Sequence, residues 1–255
     1  MNTKQLPVHE NAMRENVPSE ILKQLPSFMI IGAAKSGTTS MCDNLAKHPK
    51  LVLSNLKEPS FFCGGRYNRG ITWYLRLWPE YRSRKLRFEG STLNIFDYCQ
   101  ERIAALMPNM KAILLLRDPV QRAWSHYWLY YGKPPSDDPI SYLTDPDYPC
   151  IRRGIYIEQV RRWHQFFPAR NLLIVNSDDY FADEIVTLKQ VHEFLGIKHI
   201  TPTEISKRDP WADRKQEFGY PEMPANIRKW LTDFYKPFNR QLEEYLERKF
   251  EWGTA

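Results

Sequence analysis

Three places along the chain carry residues whose types and spacing suit them to chemistry. Lys35-Ser36-Gly37-Thr38-Thr39-Ser40 sets one cation and several hydroxyls around a glycine, a composition suited to holding a phosphate-like anion. Arg117, with Ser125 eight residues on, pairs a guanidinium with a hydroxyl, both good donors to a phosphate monoester. Glu58 stands in Lys57-Glu58-Pro59-Ser60-Phe61-Phe62, beside a proline and two phenylalanines. Local dehydration there would raise the carboxylate's proton affinity, as a general base for an alcohol requires.

The elements that must position these groups are legible around them. Phe28-Met29-Ile30-Ile31 is an unalternated apolar run, the pattern of a strand buried on both faces of a parallel sheet. Gly32 and Gly37 bracket the loop that follows, and Thr38 and Thr39 begin a helix that continues through Met41, Leu45 and Ala46. Strand, turn and helix N-terminus together aim backbone N–H groups and the positive end of a helix dipole at one point. The spacing G-x-x-x-x-G invites comparison with a nucleoside triphosphate loop, which needs Lys and then Ser or Thr directly after the second glycine. Here Thr38 follows Gly37 and the lysine comes earlier, at Lys35, so the γ-phosphate clamp is displaced. Ala112–Leu116 is a second buried strand, Asp118 can cap a helix and Pro119 suits its first turn. Arg117 then falls at a strand's carboxyl end, where open α/β sheets bind ligands, and Ser125 lies two helical turns along.

At 255 residues the chain suffices for one α/β domain with a central parallel sheet flanked by helices, expected over 27–255 after a loosely ordered lead-in at 1–26. A net charge of +6 favours anionic ligands or surfaces. Cys42, Cys63, Cys99 and Cys150 have no C-x-x-C pair or metal-ligand spacing, and no apolar segment is long enough to cross a bilayer. The first 26 residues lack the apolar core of a signal peptide. Reduced thiols and a cytoplasmic location, with no membrane partner, are therefore expected. Further strands are predicted over 50–54, 86–88 and 171–176, and helices over 97–107, 152–167 and 185–195, with a final helical stretch interrupted by Pro237. Gly132–Cys150, rich in Pro and Asp, reads as an excursion that covers an acceptor pocket. From Arg66 to Arg87 a basic run interleaved with Tyr67, Trp73, Tyr74, Trp78 and Tyr81 has two accounts: a solvated face, or aromatic surfaces and cations for an acidic, ring-bearing acceptor. His126 and His164 have no nucleophile or metal partner in sequence and read as structural.

The segment K-S-G-T-T at 35–39 resembles the 5′-phosphosulfate loop of sulfotransferases that use 3′-phosphoadenosine 5′-phosphosulfate. Lys111–Trp128 closely resembles their 3′-phosphate-binding element, with Arg117 and Ser125 at the matching positions. Lys57, Glu58, Phe61 and Phe62 match the K-E-x-x-F-F segment of the heparan-sulfate type, although Ser60 stands where that type often has histidine. Gly70–Pro79 is similar to the family's G-x-x-W-Y stretch; Glu89-Gly90-Ser91-Thr92 is only loosely similar to G-E-x-[ST]-P, with Ser91 about where some relatives carry a catalytic lysine. The resemblance implies a P-loop-like sulfotransferase fold and transfer of a sulfuryl group to a hydroxyl or amine of a small-molecule or carbohydrate acceptor, with no metal and no nucleic acid. It further implies that the donor's 5′ end lies over Lys35, Ser36, Gly37, Thr38, Thr39 and Ser40. The 3′-phosphate would lie against Arg117 and Ser125, with Glu58 as base and Lys35 stabilising the transition state. Arg122 would hold the nucleotide or pair with a surface carboxylate, Arg153 or Tyr156 would touch the nucleotide, and Lys207, Arg208, Arg214 and Lys215 would close over it. The residues alone leave two other readings open: a P-loop-type small-molecule kinase, and a non-enzymatic basic module that binds acidic glycans through the Arg66–Arg87 run.

Overall fold

The structure, a computed structural model, describes residues 17–79, 84–128, 138–147, 150–206 and 221–253. Five strands, β1 (Phe28–Gly32), β2 (Leu51–Leu53), β3 (Leu86–Gly90), β4 (Lys111–Leu116) and β5 (Leu172–Asn176), form one sheet in the order β2-β3-β1-β4-β5. Every pairing is parallel, as the unalternated apolar runs predict. From β1 the chain moves outward to β2, whereas from β4 it moves the opposite way to β5, so the crevice of an open α/β sheet falls at the carboxyl ends of β1 and β4.

Between the strands and after them run α1 (Ser19–Leu22), α2 (Thr38–Ala46), α3 (Ile71–Leu75), α4 (Leu93–Phe96), α5 (Gln100–Leu106) and α6 (Pro119–Tyr127). They are followed by α7 (Pro139–Thr144), α8 (Tyr156–His164), α9 (Ser177–Ala182), α10 (Glu184–Leu195) and α11 (Ala225–Leu246). Alternate strand residues serve opposite faces. Phe28, Ile30, Ile113 and Leu115 pack with α2 and α10 through Met41, Leu45, Leu188 and Val191. Met29, Ile31, Leu114 and Leu116 pack in the larger core with α5, α6, α8 and α11, through side chains such as Ile103, Tyr127, Trp163 and Tyr235. Gly90 lets α2 approach β3, because a Cβ there would stand 2.5 Å from Cys42 Sγ.

Three expectations need correction. Pro237 does not divide the last helical stretch: α11 is continuous over 22 residues. Its buried stripe of Ile227, Leu231, Tyr235 and Leu242 packs strongly enough to outweigh the ~3 kcal/mol that an interior proline costs a helix. The helix predicted from 152 begins only at Tyr156, after a 3₁₀ turn at Arg152–Gly154. Gly154 is where Tyr235 of α11 comes closest, its hydroxyl 2.8 Å from the position a Cβ would take. Arg87 is not on a solvated face: it is buried and donates to the carbonyls of Gln24 and Pro79 at 3.0 and 2.7 Å, which ties β3 to the segment around Leu25, itself in the core.

Of the excursion at 132–150, the described part contains α7, capped by Asp138 Oδ1 accepting from the Ile140 and Ser141 amides, with Tyr142 and Leu143 buried. Lys207, Arg208, Arg214, Lys215, Tyr81 and Arg82 lie outside the described residues. Among the described residues no helix is long and apolar enough to cross a membrane.

Candidate active site

β1 delivers the chain into a loop at Ala33–Gly37 that opens α2. Neighbouring elements fix it: Ala33 N–H donates to the Leu115 carbonyl at 2.8 Å, and Ser177 Oγ, at the start of α9, donates to the Ser36 carbonyl at 2.9 Å. Lys35 is half-buried and holds φ +73°, a left-handed conformation uncommon for a non-glycine residue. Gly37 has φ +89°, and a Cβ there would stand 2.8 Å from Phe181 Cζ, so glycine is required on both counts. Met41 N–H bonds back to the Gly37 carbonyl at 3.0 Å, and the amides of Thr38, Thr39 and Ser40 precede it at the helix's positive end. The Ser40 hydroxyl itself is committed elsewhere. It donates to the Ser206 carbonyl at 2.7 Å and lies 3.0 Å from the Tyr180 hydroxyl, which also accepts from Asn44 Nδ2 at 2.9 Å. Ser40 thus has only its amide to offer a ligand.

Arg117 and the loop, far apart in sequence, meet at the crevice: Arg117 Nη1 donates to the Lys35 carbonyl at 3.2 Å. Tyr156, a candidate to touch the nucleotide, donates from its hydroxyl to the Arg117 carbonyl at 3.0 Å and so fixes the end of β4. Ser125 is wholly buried on α6 and its hydroxyl has no hydrogen-bond partner among the described residues. Several other buried polar atoms among the described residues share this state, Ser36 Oγ in the loop and Arg122 Nε among them. Arg122 does not pair with a carboxylate on the surface. It is completely buried, within 3.2 Å of His126 Nδ1 and donating to the Cys150 carbonyl, which makes it a core strut. Burial, reinforced by the charges of Arg122, Arg153 and Lys35, pushes the His126 pKa down to about 2, so that imidazole is neutral. His164 bonds the Tyr245 hydroxyl at 2.9 Å on α8.

Glu58 lies beside the loop. A cavity of about 220 Å³ is lined by Thr38 and Thr39 at the α2 N-terminus, by Asp43 and Ser54, and by Lys57 and Glu58. Glu58 is half-buried with φ +49°, and Thr92 Oγ1 donates to its Oε2 at 3.1 Å. Phe61 and Phe62 are buried behind it, Phe61 stacked on Tyr74 with ring centroids 4.4 Å apart. Tyr74 and Trp78 therefore belong to the core and offer no acceptor surface; Trp78 Nε1 donates to the Phe88 carbonyl at 3.1 Å. Arg66, Arg69 and Arg76 remain exposed, with Arg69 over the Trp73 ring at 5.0 Å. Sequence reasoning missed Thr92 and Ser177 as supports of the site. Each acts through a contact distant in the chain, and a single hydroxyl leaves no periodic signal.

All four cysteines are free and buried. Cys63 and Cys99 are nevertheless a pair: their sulfurs lie 2.9 Å apart, with Cys63 Sγ 3.2 Å from Asn94 Oδ1. The contact with Cys99 and burial push the Cys63 thiol well above its ordinary range. A pocket of about 460 Å³ opens beside them, lined by Phe62, Gly64, Asp97, Tyr98 and Arg102 as well as the two cysteines. Closing a disulfide, with an S–S bond of ~2.04 Å, needs each sulfur to move by only about half an ångström. With so little thiolate at neutral pH, oxidation with diamide is expected to be slow and to speed up as the pH rises, linking Cys63 to Cys99 and leaving Cys42 and Cys150 as thiols. Peptide mapping without reductant checks this, and recovery of Cys63 and Cys99 as free thiols would contradict it.

Comparison with known proteins identifies the family. The sulfotransferase domain model matches residues 25–209, more than half of the chain. Heparan sulfate glucosamine 3-O-sulfotransferase 3B1 of Mus musculus is 29% identical over 257 residues, covering 90% of this chain. The match spans 65% of that relative's length. The bifunctional heparan sulfate N-deacetylase/N-sulfotransferase 2 of Bos taurus is 30% identical over 268 residues, covering 88% of this chain and 30% of that protein. The crystal structure of a sulfotransferase from Alicyclobacillus acidocaldarius superposes with a TM-score of 0.75 at 24% identity, over 89% of this chain and 97% of that one, and shows that the fold is the P-loop-like sulfotransferase fold. With the domain model spanning loop, Glu58 segment and Arg117 element alike, the chain belongs to the sulfotransferase family, enzymes whose donor is 3′-phosphoadenosine 5′-phosphosulfate.

Proposed function

We propose that this chain moves a sulfuryl group from 3′-phosphoadenosine 5′-phosphosulfate to a hydroxyl or amine of a carbohydrate or small-molecule acceptor. The observation that carries the reading is the meeting of Arg117 with the Lys35 loop at the crevice, next to the cavity that Glu58 lines. The donor set fits a nucleotide with anions at both ends. The α2 amides, Thr38, Thr39 and Lys35 suit the 5′ end, and the Arg117 guanidinium with the orphaned Ser125 hydroxyl suits the 3′-phosphate. The bound donor supplies the transferable sulfuryl group. Glu58 accepts the acceptor's proton as its oxygen or nitrogen attacks sulfur, with Thr92 holding the other end of the carboxylate's hydrogen bond. Lys35 offsets the negative charge that grows on the leaving oxygen. Orientation and fixed charge do most of the work in such a transfer.

The heparan sulfate relatives favour a carbohydrate acceptor, and the exposed Arg66, Arg69 and Arg76 give an acidic glycan cations to meet. The test is incubation with radiolabelled donor and a panel of sugar, phenol and amine acceptors, together with thermal melts in 3′-phosphoadenosine 5′-phosphate. Label on an acceptor and a raised melting temperature are the expected results. Stabilisation by Mg²⁺-ATP alone would replace this reading with a kinase. Salt-sensitive glycan binding with no nucleotide effect would replace it with a binding module.

A further inference from the structure

The carboxylate of Glu89, the penultimate residue of β3, is fully buried, and its hydrogen-bond partners are neutral. Tyr74 donates from its hydroxyl to Oε1 at 2.8 Å and Ser91 from its hydroxyl to Oε2 at 2.5 Å, with Asn94 also bonded. Burial raises its proton affinity, and these bonds oppose the rise. A buried acid without a cation is a poor stabilising device, since an apolar group of similar volume is often as good or better. Its presence asks for another explanation, and the bonds beyond it supply one.

Ser91 Oγ passes the constraint on. While its hydrogen goes to Glu89, its lone pair accepts the Ser60 N–H at 2.8 Å. Ser60 and Glu58 flank Pro59 with φ +45° and +49°, two left-handed non-glycine residues in one turn. Such backbone is strained and persists only where the surroundings over-determine it. Here the turn is gripped from both sides. Arg66 Nη1 donates to the carbonyls of Glu58 and Pro59 at 3.1 and 2.7 Å, and the Glu89–Ser91 pair holds the Ser60 amide. Thr92, the neighbour of Ser91, bonds the Glu58 carboxylate itself.

We propose that Glu89 is a positioning residue: a buried acceptor that orients the Ser91 hydroxyl, locks the left-handed Glu58-Pro59-Ser60 turn, and so fixes the direction in which Glu58 presents its carboxylate. The inference rests on the reading of Glu58 as base. Glu89 touches no reacting atom and acts only through Ser91 and the turn.

The test is a cycle of Glu89→Gln, Ser91→Ala, Glu58→Gln and the Glu58→Gln/Glu89→Gln double variant, each read for kcat, acceptor KM and affinity for 3′-phosphoadenosine 5′-phosphate. Gln keeps the volume of Glu but can accept from only one of the two hydroxyls. Glu89→Gln and Ser91→Ala are each expected to lower kcat by about ten- to a hundred-fold, the usual cost of losing an outer partner of a functional group. Nucleotide affinity should stay near the parent's. The double variant should be no slower than Glu58→Gln, because Glu89 has nothing left to orient; a further loss would mark a general structural role and overturn the proposal. If Glu89→Gln does not fold, Ser91→Ala, which leaves Glu89 in place, decides. Parental kcat in Glu89→Gln and Ser91→Ala with a dead Glu58→Gln sinks the positioning role alone, whereas parental kcat in Glu58→Gln sinks the base.

Discussion

Glu58→Gln is expected to slow turnover by about a hundred- to ten-thousand-fold, the range a general base supplies. The amide oxygen can still accept from Thr92 Oγ1, and the left-handed turn around Pro59 is untouched, so the substitution removes proton acceptance and little else. Affinity for 3′-phosphoadenosine 5′-phosphate, measured by calorimetry, should therefore remain near the parent's. Single-turnover rates separate chemistry from product release. Lost nucleotide binding with normal turnover would contradict the role.

Arg117→Ala should weaken binding of 3′-phosphoadenosine 5′-phosphate by about ten- to a hundred-fold, the equivalent of ~1.5–3 kcal/mol for a hydrogen bond to a charged group. Arg117 also donates to the Lys35 carbonyl, so some loosening of the loop will weaken every nucleotide. The decisive quantity is the difference between ligands: adenosine 5′-phosphosulfate, which lacks the 3′-phosphate, should lose much less. Equal losses would leave Arg117 as a strut for the loop and remove it from the phosphate site. Arg117→Lys keeps the charge without the planar fork, and an intermediate loss is expected.

How much of this was legible in the sequence follows from the range of the interactions. The apolar run Phe28–Ile31 announced a strand buried on both faces, and the order strand, glycine loop, helix placed Lys35 at its end. Asp118 and Pro119 fixed where α6 starts, and so put Arg117 at the mouth of the sheet. These are local signals. Pairings between distant segments leave no comparable trace. Ser40 looked like one more hydroxyl of the anion loop until Tyr180 and Ser206 came within reach of it. Arg122 has the composition of a ligand residue, and only the folded core shows its partners to be His126 and the Cys150 carbonyl. Pro237 was read by its intrinsic preference, which the packing of α11 overrode. Glu89 sat in a segment whose loose match to a known pattern drew attention to the position of Ser91 and away from the acid two residues before it.

The two neighbouring sulfurs at 63 and 99 also bear on how the molecule is handled. A batch stored in air and one kept under phosphine are expected to differ in covalent connectivity, with the peptide after the Glu58 turn tethered to the start of α5 in the first and untethered in the second. Kinetic constants from the two would then describe different molecules. Intact mass under non-reducing conditions belongs beside every rate measured on this chain.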